Sequence, residues 1–373
     1  MRPRLKTVLW ERAGESLRVA HDRRDQLLVE DPTGQVEKLL ELLREGTRTV
    51  EELAVEMGLS PTDLSEAVAE FDSCGLLEDA DRLGRLTSGA AERHHSNLAF
   101  FESFATLARS REDFQLALRQ AHVLVLGAGG LNANTVPHFC GLGIGRLTLT
   151  DRDTVEPRNF ARQYLNRWED IGASKVERAR AWVRAYDPEV EVTSVTADVD
   201  GPETVARLLD EHRPDVVMAG IDQPAAVDLW VNAACAARRI PFVRAGMLVT
   251  EGLVYSVVPG VSACLACGPR SIAGAAPPEA GAARHPLDGA PALNRSIGPV
   301  AGLLGALAAF EVLRLLTGFE PPAHAGRPLS VDFASGCSMT RGAWNRDPAC
   351  GVCGSGAPGG GAPVPDRRGG DEQ

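Results

Sequence analysis

The chain contains 373 residues, of which 44% are hydrophobic and 24% charged, and its formal net charge is −11. One hydrophobic core seldom organises a chain of this length, so we expect two domains. The acidic balance argues against nucleic acid or an anionic membrane as the main partner.

No segment at the N-terminus has the apolar run of a signal peptide. The longest apolar helical pattern, residues 297–310, is too short to span a bilayer, and Glu311 and Arg314 follow it. We therefore expect a cytoplasmic protein without a membrane partner.

Residues 1–85 have the pattern of a small winged-helix α+β domain. Apolar runs at 16–19 and 26–30 predict a β-hairpin. Three helical patterns follow, the last two opening with possible capping boxes, and a wing strand is predicted from Leu76. The predicted helices are 34–45, 49–57 and 60–74.

Three interpretations of this N-terminal region remain open. In its first 81 residues acidic side chains outnumber basic ones, whereas a DNA-binding helix-turn-helix is expected to carry a basic surface. The region is also similar to the peptide-recognition domains of ribosomal-peptide maturation enzymes, in which a peptide adds as a strand to a sheet edge. The third interpretation is a purely structural cap.

Residues 86–120, with an aromatic segment at 97–104, are predicted to form linker or interface helices.

A nucleotide-binding βαβ pattern begins at residue 121. A short apolar run at 123–126 predicts a buried parallel strand, and Gly127, Gly129 and Gly130 follow it. A helical segment and a second strand come next, and Asp151 stands 24 residues after Gly127. In such units, glycines allow close approach to phosphate and an acidic residue binds a ribose hydroxyl.

The α/β alternation continues beyond this unit and predicts a Rossmann-like, mostly parallel sheet with helices on both faces. Residues 250–259 predict an antiparallel extension of that sheet. The remaining predicted helices are 175–186, 202–212, 223–238 and 299–317, and the remaining strands are 191–197, 215–219, 241–245 and 329–332. Residues 273–293 and 354–373, rich in Gly, Ala and Pro, predict a mobile loop and a disordered tail.

Two Cys-x-x-Cys pairs flank the last helix, Cys264 with Cys267 and Cys350 with Cys353. Four thiolates in two knuckles suit one tetrahedral zinc ion. Coincidence or redox pairs are the alternatives.

The segment after Asp151 resembles the signature of the ThiF/MoeB/HesA family, the bacterial relatives of ubiquitin-activating enzymes. Asn159, Arg162-Gln163, Lys175 and Asp222 stand in the family's order. The resemblance covers residues 95–354, including the zinc cysteines, so that residues 121–353 are expected to form the adenylation domain. It implies a homodimer that adenylates a C-terminal carboxylate with ATP, Mg²⁺ and structural Zn²⁺.

The resemblance also implies a role for each motif position. Arg162 and Lys175 are expected to bind the phosphates during catalysis, and Asp222 to hold Mg²⁺. The nucleotide-binding positions are expected to be Gly127, Gly129, Gly130, Asp151, Asp153, Asn159 and Gln163. One position departs from the family: Asn132 stands where a glycine usually permits close helix–strand packing, so we expect the loop to sit differently.

Residues 222–232, 245–246 and 254–267 look most like the microcin C-type peptide adenylyltransferases, which also carry an N-terminal peptide-binding unit. This likeness favours a ribosomal peptide as substrate, with a sulfur-carrier protein as the alternative.

The absence of cysteine from residues 273–293 disfavours thioester transfer. A nicotinamide-dependent dehydrogenase would need neither Arg162 nor the zinc knuckles. A non-catalytic scaffold that binds a leader peptide for a partner cyclodehydratase remains the other alternative.

Overall fold

The computed structural model describes residues 1–20, 26–224, 226–248, 250–267 and 296–354. The predicted loop at 273–293, the tail beyond residue 354 and the hairpin turn at 21–25 lie outside these residues. The chain divides into two compact units, Met1–Ala117 and a second that begins at Leu118.

The first unit consists of short strands and helices. They are β1 (Pro3–Leu5), β2 (Leu9–Ala13), β3 (Ser16–Ala20), β4 (Gln26–Glu30), α1 (Gln35–Glu45), α2 (Val50–Met57), α3 (Pro61–Ser73), β5 (Leu77–Asp79), α4 (Ser88–Arg93) and α5 (His95–Glu102). Helix α6 (Arg111–Gln120) contains the division between the units. Strands β2, β3 and β4 form an antiparallel sheet, which confirms the predicted hairpin as β3–β4. Strand β5, predicted as a wing, pairs with β1 and not with that sheet.

Local sequence signals place the helices of this unit. Thr49 and Glu52 form the predicted capping box at the start of α2. At α3 the Oγ of Ser60 accepts a hydrogen bond from the backbone N–H of Asp63. The three helices close over a core of fully buried leucines, because each presents its apolar face to the others. These include Leu40, Leu43, Leu53 and Leu64. The winged-helix assignment of residues 1–85 stays a prediction.

The second unit is built on one large sheet. Its elements are β6 (His122–Leu126), α7 (Asn132–Leu142), β7 (Arg146–Thr150), α8 (Lys175–Tyr186), β8 (Glu191–Val195), α9 (Pro202–His212), β9 (Val216–Ala219), α10 (Val227–Arg238), β10 (Phe242–Leu248), β11 (Glu251–Val257), α11 (Gly298–Thr317), β12 (Leu329–Asp332) and β13 (Ser338–Arg341).

The strand order is β13-β12-β11-β10-β9-β6-β7-β8. Strands β10, β9, β6, β7 and β8 are parallel, whereas β11, β12 and β13 extend the sheet antiparallel. Helices α7, α8 and α11 pack together and α9 packs on α10, as in a doubly wound sheet covered on both faces. The predicted α/β fold is therefore confirmed. Strand β13 was not predicted from the sequence.

Helix α11 matches the predicted helix 299–317 to within one residue, and it is longer than the apolar run at 297–310. It has 20 residues and is long and apolar enough to cross a membrane, so the inference that this segment is too short was wrong. In the structure, α11 instead packs on α7, β10 and β11, and 56% of its most apolar window is buried. Its buried Glu311 accepts hydrogen bonds from Ser256 Oγ at 2.6 Å and from the backbone N–H of His324 at 2.9 Å. The apolar composition of α11 is therefore that of a helix covering the sheet.

Candidate active site

Strands β6 and β9 are neighbours in the sheet. The chain continues from β6 to β7 on one side of this pair and from β9 to β10 on the other, so the strand order reverses between β6 and β9. In open α/β sheets, ligands bind at such a switch point, beyond the carboxyl ends of the strands. Here that edge carries three loops: residues 127–130 after β6, called the glycine loop below, Asp151 after β7, and residues 220–222 after β9. The predicted nucleotide residues therefore begin on neighbouring strands.

Asp151 ties the first two loops together. Its Oδ2 accepts a hydrogen bond from the backbone N–H of Ala128 at 2.6 Å, and its Oδ1 accepts one from the N–H of Asp153 at 2.8 Å. Gly127 has a φ of 88°, and its N–H donates to the carbonyl of Thr150 at 2.8 Å. A positive φ of this size favours glycine, so the turn after β6 depends on Gly127.

Gly129 and Gly130 differ in what surrounds them. A Cβ at Gly129 would meet nothing within 4 Å, so the loop faces open space there. A Cβ at Gly130 would lie 2.7 Å from Nε of Arg162. The Arg162 side chain therefore lies directly against the loop at Gly130.

Asn132, at the first position of α7, fills the space behind the glycine loop. Its buried Nδ2 donates to the carbonyls of Leu126 at 3.0 Å and Gly127 at 2.7 Å. The Asn132 amide also lies against Gly220, where an added Cβ would come within 2.9 Å of Asn132 Cγ. The structure accommodates this departure from the family by placing a glycine opposite it, after β9.

Arg162 lies between the glycine loop and the loop after β9. Asn134 Nδ2 donates to the carbonyls of Gly130 at 2.7 Å and Arg162 at 2.9 Å, which links the two segments. Among the described residues, the Arg162 guanidinium has no carboxylate within ion-pair distance. Burial lowers the pKa of Arg162, and the Asp222 carboxylate acts in the opposite direction. Arg162 is thus a half-buried cation beside the loop and in the field of Asp222.

Asn159 and Gln163 have structural contacts next to Arg162. The buried Asn159 accepts a hydrogen bond at Oδ1 from the N–H of Glu156 at 2.9 Å, and its carbonyl accepts from the N–H groups of Arg162 and Gln163. Gln163 is buried and accepts from Asn166 Nδ2 at 3.4 Å. Both side chains therefore shape the turn that presents Arg162.

Lys175, at the first position of α8, is buried and forms an ion pair with Asp153. Its Nζ lies 2.7 Å from Asp153 Oδ2, and its backbone N–H donates to the Asp153 carbonyl at 3.0 Å. Since the Asp153 N–H donates to Asp151, one chain of contacts joins Lys175 to the glycine loop.

Asp222 is largely exposed and accepts a hydrogen bond at Oδ1 from Nη2 of Arg244 at 2.9 Å. Arg244 lies on β10 and also donates from Nε to Asp228 at 2.8 Å. Sequence reasoning missed both Arg244 and Asp228. The available signal was a charged residue within the apolar strand pattern 241–245, since a buried charge requires partners.

The four knuckle cysteines form a separate buried cluster. Their sulfur atoms all lie within 4.8 Å of one another, and the nearest pairs are 3.4, 3.7 and 3.9 Å apart. Zinc–sulfur bonds of about 2.3 Å at tetrahedral angles separate sulfurs by about 3.8 Å, so the cluster fits a zinc ion and not a disulfide. The N–H groups of Asp347 and Val352 point at sulfur, each at 3.5 Å, which favours thiolates. The cluster comprises Cys264, Cys267, Cys350 and Cys353.

A half-buried arginine, a buried lysine, a glycine loop and an exposed carboxylate at one sheet edge suit a polyphosphate ligand. Residues 102–352 match the ThiF family. Over 248 residues the chain is 33% identical to the molybdopterin-synthase adenylyltransferase of Escherichia coli (strain K12), covering 65% of this chain and 90% of that protein. It is 30% identical over 254 residues to the sulfur carrier protein ThiS adenylyltransferase of the same organism, covering 63% of this chain and 92% of that protein.

Solved structures have the same fold. The microcin C7 biosynthetic enzyme MccB in complex with N-formylated MccA is similar at a TM-score of 0.73 and 20% identity, over 95% of this chain and 100% of that chain. MccB of E. coli with ATP is similar at a TM-score of 0.70 and 20% identity, with the same coverage. The family match spans more than half of the chain, and the curated relatives are named adenylyltransferases. The chain belongs to the ThiF family and is an adenylyltransferase.

Proposed function

We propose that the protein uses ATP to adenylate the C-terminal carboxylate of a ribosomal peptide. The observation that carries the chemistry is the convergence of the glycine loop, Arg162, the Lys175–Asp153 pair and Asp222 on one sheet edge. The ATP complex of MccB, which has the same fold, supports ATP as the ligand.

In the proposed reaction, a carboxylate oxygen of the peptide attacks the α-phosphorus of ATP. An O–P bond forms, the bond between the α-phosphorus and the bridging oxygen breaks, and pyrophosphate leaves with that electron pair. No proton has to move, so the protein must mainly position the reactants and balance negative charge. We assign that charge balance to Arg162 and Lys175, and the ribose contact to Asp151.

The glycine loop is suited to approach the phosphates. Gly129 faces open space, and the N–H of Ala128 is already used by Asp151. We therefore assign phosphate contact to the N–H groups of Gly129 and Gly130, beside the Arg162 guanidinium. Asp153, Asn159 and Gln163 act through their neighbours: Asp153 orients Lys175, and the other two shape the Arg162 turn.

Asp222 fits the magnesium assignment because its carboxylate is exposed and only its Oδ1 has a partner among the described residues. Magnesium prefers carboxylate and phosphate oxygens. When bound, Mg²⁺ supplies positive charge to the phosphate oxygens and favours departure of pyrophosphate. Asp222 would hold the ion at the carboxyl end of β9. The cysteine cluster would hold a structural Zn²⁺ with four thiolates and no open position.

The first unit supports a peptide substrate. Among the described strands, β2 and β4 each pair on one side only, and each edge strand carries an exposed leucine, Leu9 and Leu28. An extended peptide can add to such an edge through backbone hydrogen bonds. The complex of MccB with N-formylated MccA supports the same substrate class.

A small sulfur-carrier protein is the second candidate substrate. It is favoured by the 33% and 30% identity to the molybdopterin-synthase and ThiS adenylyltransferases. Both candidates present a C-terminal carboxylate, so the chemistry at the sheet edge is the same.

We further propose that the protein forms a homodimer and acts in the cytoplasm.

ATP–pyrophosphate exchange with Mg²⁺ tests both substrates. The protein is assayed with peptides encoded beside its gene and with a ThiS-type carrier protein, as wild type and as Asp222→Ala. We expect exchange that depends on the peptide and is lost in Asp222→Ala. Exchange with the carrier alone would replace the peptide proposal. Tight peptide binding without exchange would contradict catalysis and favour the leader-binding scaffold.

A further inference from the structure

Arg244 is a buried cation at the edge of the proposed active site. Its side chain is about 10% exposed, and its guanidinium contacts groups on three different segments. Nη2 donates to Asp222 Oδ1 in the loop after β9, and Nε donates to Asp228 Oδ1 in the first turn of α10. Nη1 donates to the carbonyl of Ala245 on its own strand.

These contacts fix the guanidinium plane from three sides. A buried arginine with several partners has little freedom, because any rotation would break a charged hydrogen bond in a region of low dielectric. Gly246 lies close by, where a Cβ would come within 3.0 Å of Arg244 Nη1. A glycine at position 246 therefore leaves room for the Arg244 guanidinium in this orientation.

Among the described residues, the contact that holds Asp222 is made at Oδ1. Its side chain is 67% exposed, and Oδ2 has no hydrogen-bond or ion-pair partner among the described residues. An exposed aspartate without a fixed neighbour would sample several rotamers, at an entropic cost to any ligand that needs one of them. The contact with Arg244 removes part of that cost before a ligand arrives.

The charges around Asp222 also affect how well its carboxylate can bind a cation. One arginine faces two carboxylates, Asp222 and Asp228, so the group of three has a net charge of −1. Asp228 neutralises Arg244 and leaves Asp222 with negative charge to offer a cation. Without Asp228, the arginine would compete more strongly with a metal ion for Asp222.

We propose that Arg244 is a positioning residue for Mg²⁺: it holds Oδ1 of Asp222 and so leaves Oδ2 available to the ion that accompanies ATP. Partners of this kind orient metal ligands, and their loss typically costs about 10- to 100-fold in metal affinity. The inference deepens the proposed function and rests on its assignment of Asp222 to magnesium.

The test compares wild type with Arg244→Gln. The first measurement is the Mg²⁺ concentration for half-maximal ATP–pyrophosphate exchange, and the second is Mn²⁺ binding in the presence of ATP by electron paramagnetic resonance. We expect roughly 10- to 100-fold more Mg²⁺ for half-saturation and a parallel loss of Mn²⁺ affinity. ATP affinity in EDTA, measured by calorimetry, should be unchanged, because Arg244 acts on the metal ligand.

Arg238→Gln is the matched control. Arg238 forms a two-bond ion pair with Asp210 at the other end of α10, with both distances at 2.7 Å. This variant also removes an arginine–aspartate pair, and we expect wild-type metal dependence. Should Arg244→Gln not fold, Arg244→Lys replaces it: the lysine keeps the charge but cannot hold both carboxylates in one plane, so the same shift is expected.

The outcomes separate this inference from the proposed function. If Asp222→Ala abolishes exchange while the Arg244 variants keep wild-type Mg²⁺ and Mn²⁺ dependence, only the role of Arg244 is wrong. If Asp222→Ala leaves exchange and Mn²⁺ binding intact, the magnesium assignment fails and the inference with it. Equal loss of ATP affinity with and without metal would show a collapse of the site and overturn positioning.

Discussion

Asn132, at the start of α7, and Gly220, after β9, lie against each other, and each restricts which residue can stand at the other position. Asn132 supplies donors to two buried carbonyls, while its amide occupies the space where a side chain at Gly220 would lie. The unusual residue in the glycine motif is thus matched by a glycine some 90 positions later.

A double-mutant cycle measures this dependence. Gly220→Ala alone should destabilise the protein, because its Cβ would overlap the Asn132 amide. In an Asn132→Gly background the same change should cost little, giving a coupling free energy of about 0.5–3 kcal/mol. Urea unfolding of the four proteins provides the values. Additive effects would contradict the proposed contact.

His122 gives a prediction about pH. Burial lowers the pKa of this histidine from 6.5 to about 4, and its Nε2 lies 2.9 Å from Thr148 Oγ1. The folded protein therefore keeps His122 neutral, whereas the unfolded chain takes up a proton below pH 6.5. Stability due to this group is present above that pH and is lost as the pH falls toward 4.

His122→Gln removes the titration while keeping a polar side chain on β6. Wild type should lose up to about 1.4 kcal/mol of unfolding free energy per pH unit below pH 6.5 because of His122. The variant should show a shallower dependence between pH 6.5 and 4.5 in urea unfolding. Parallel curves for the two proteins would refute the assignment.

At the scale of elements, the cysteine knuckles connect the end of β11 with the segment after β13. The thiols are surrounded by apolar side chains of the sheet core, including Tyr255 and Trp344. Without a metal, burial raises the pKa of the Cys264 and Cys267 thiols and keeps them protonated, and the two Cys-x-x-Cys pairs then lose the link that a shared ion provides. The geometry therefore predicts that zinc stabilises this end of the sheet.

Metal analysis tests this prediction. Wild type should carry one zinc per chain, and Cys264→Ser should lose most of it and unfold at a lower temperature. Cys337→Ser, at an exposed cysteine outside the cluster, is the matched control and should keep both metal and stability. Full zinc occupancy in Cys264→Ser would show that the cluster is not the binding site.

At the scale of the whole molecule, the first unit offers sheet edges and the second offers the chemistry. If a peptide adds to the small sheet, acidic residues at its exposed edge leucines should weaken binding. We expect the double variant Leu9→Asp, Leu28→Asp to raise the Kd of a peptide encoded beside the gene by about tenfold, or about 1.4 kcal/mol. Fluorescence anisotropy of the labelled peptide measures this.

Val55→Asp is the control for that experiment, because Val55 is at least as exposed as the two leucines but lies on α2. Its peptide affinity should match that of wild type. Equal affinity in all three proteins would mean that neither sheet edge receives the peptide, and the first unit would then be a structural cap.

The sequence by itself determined the parallel sheet, the helices and the family motif, because these depend on local patterns. Apolar periodicity, the Thr49 capping box and the glycine turn at Gly127 each act within a few residues. Lys175 and Arg162 were singled out in another way, through their order in the family signature that this chain resembles. The roles of these residues stay predictions.

Only the tertiary structure decided which distant residues meet. The pairing of β5 with β1, the fit of Gly220 against Asn132 and the contacts of Arg244 all join segments that are remote in the chain. The contacts of Gly220 and Arg244 follow from the strand order of the large sheet, which brings β9 between β6 and β10. No local pattern encodes that order, because it results from packing the whole sheet and its covering helices.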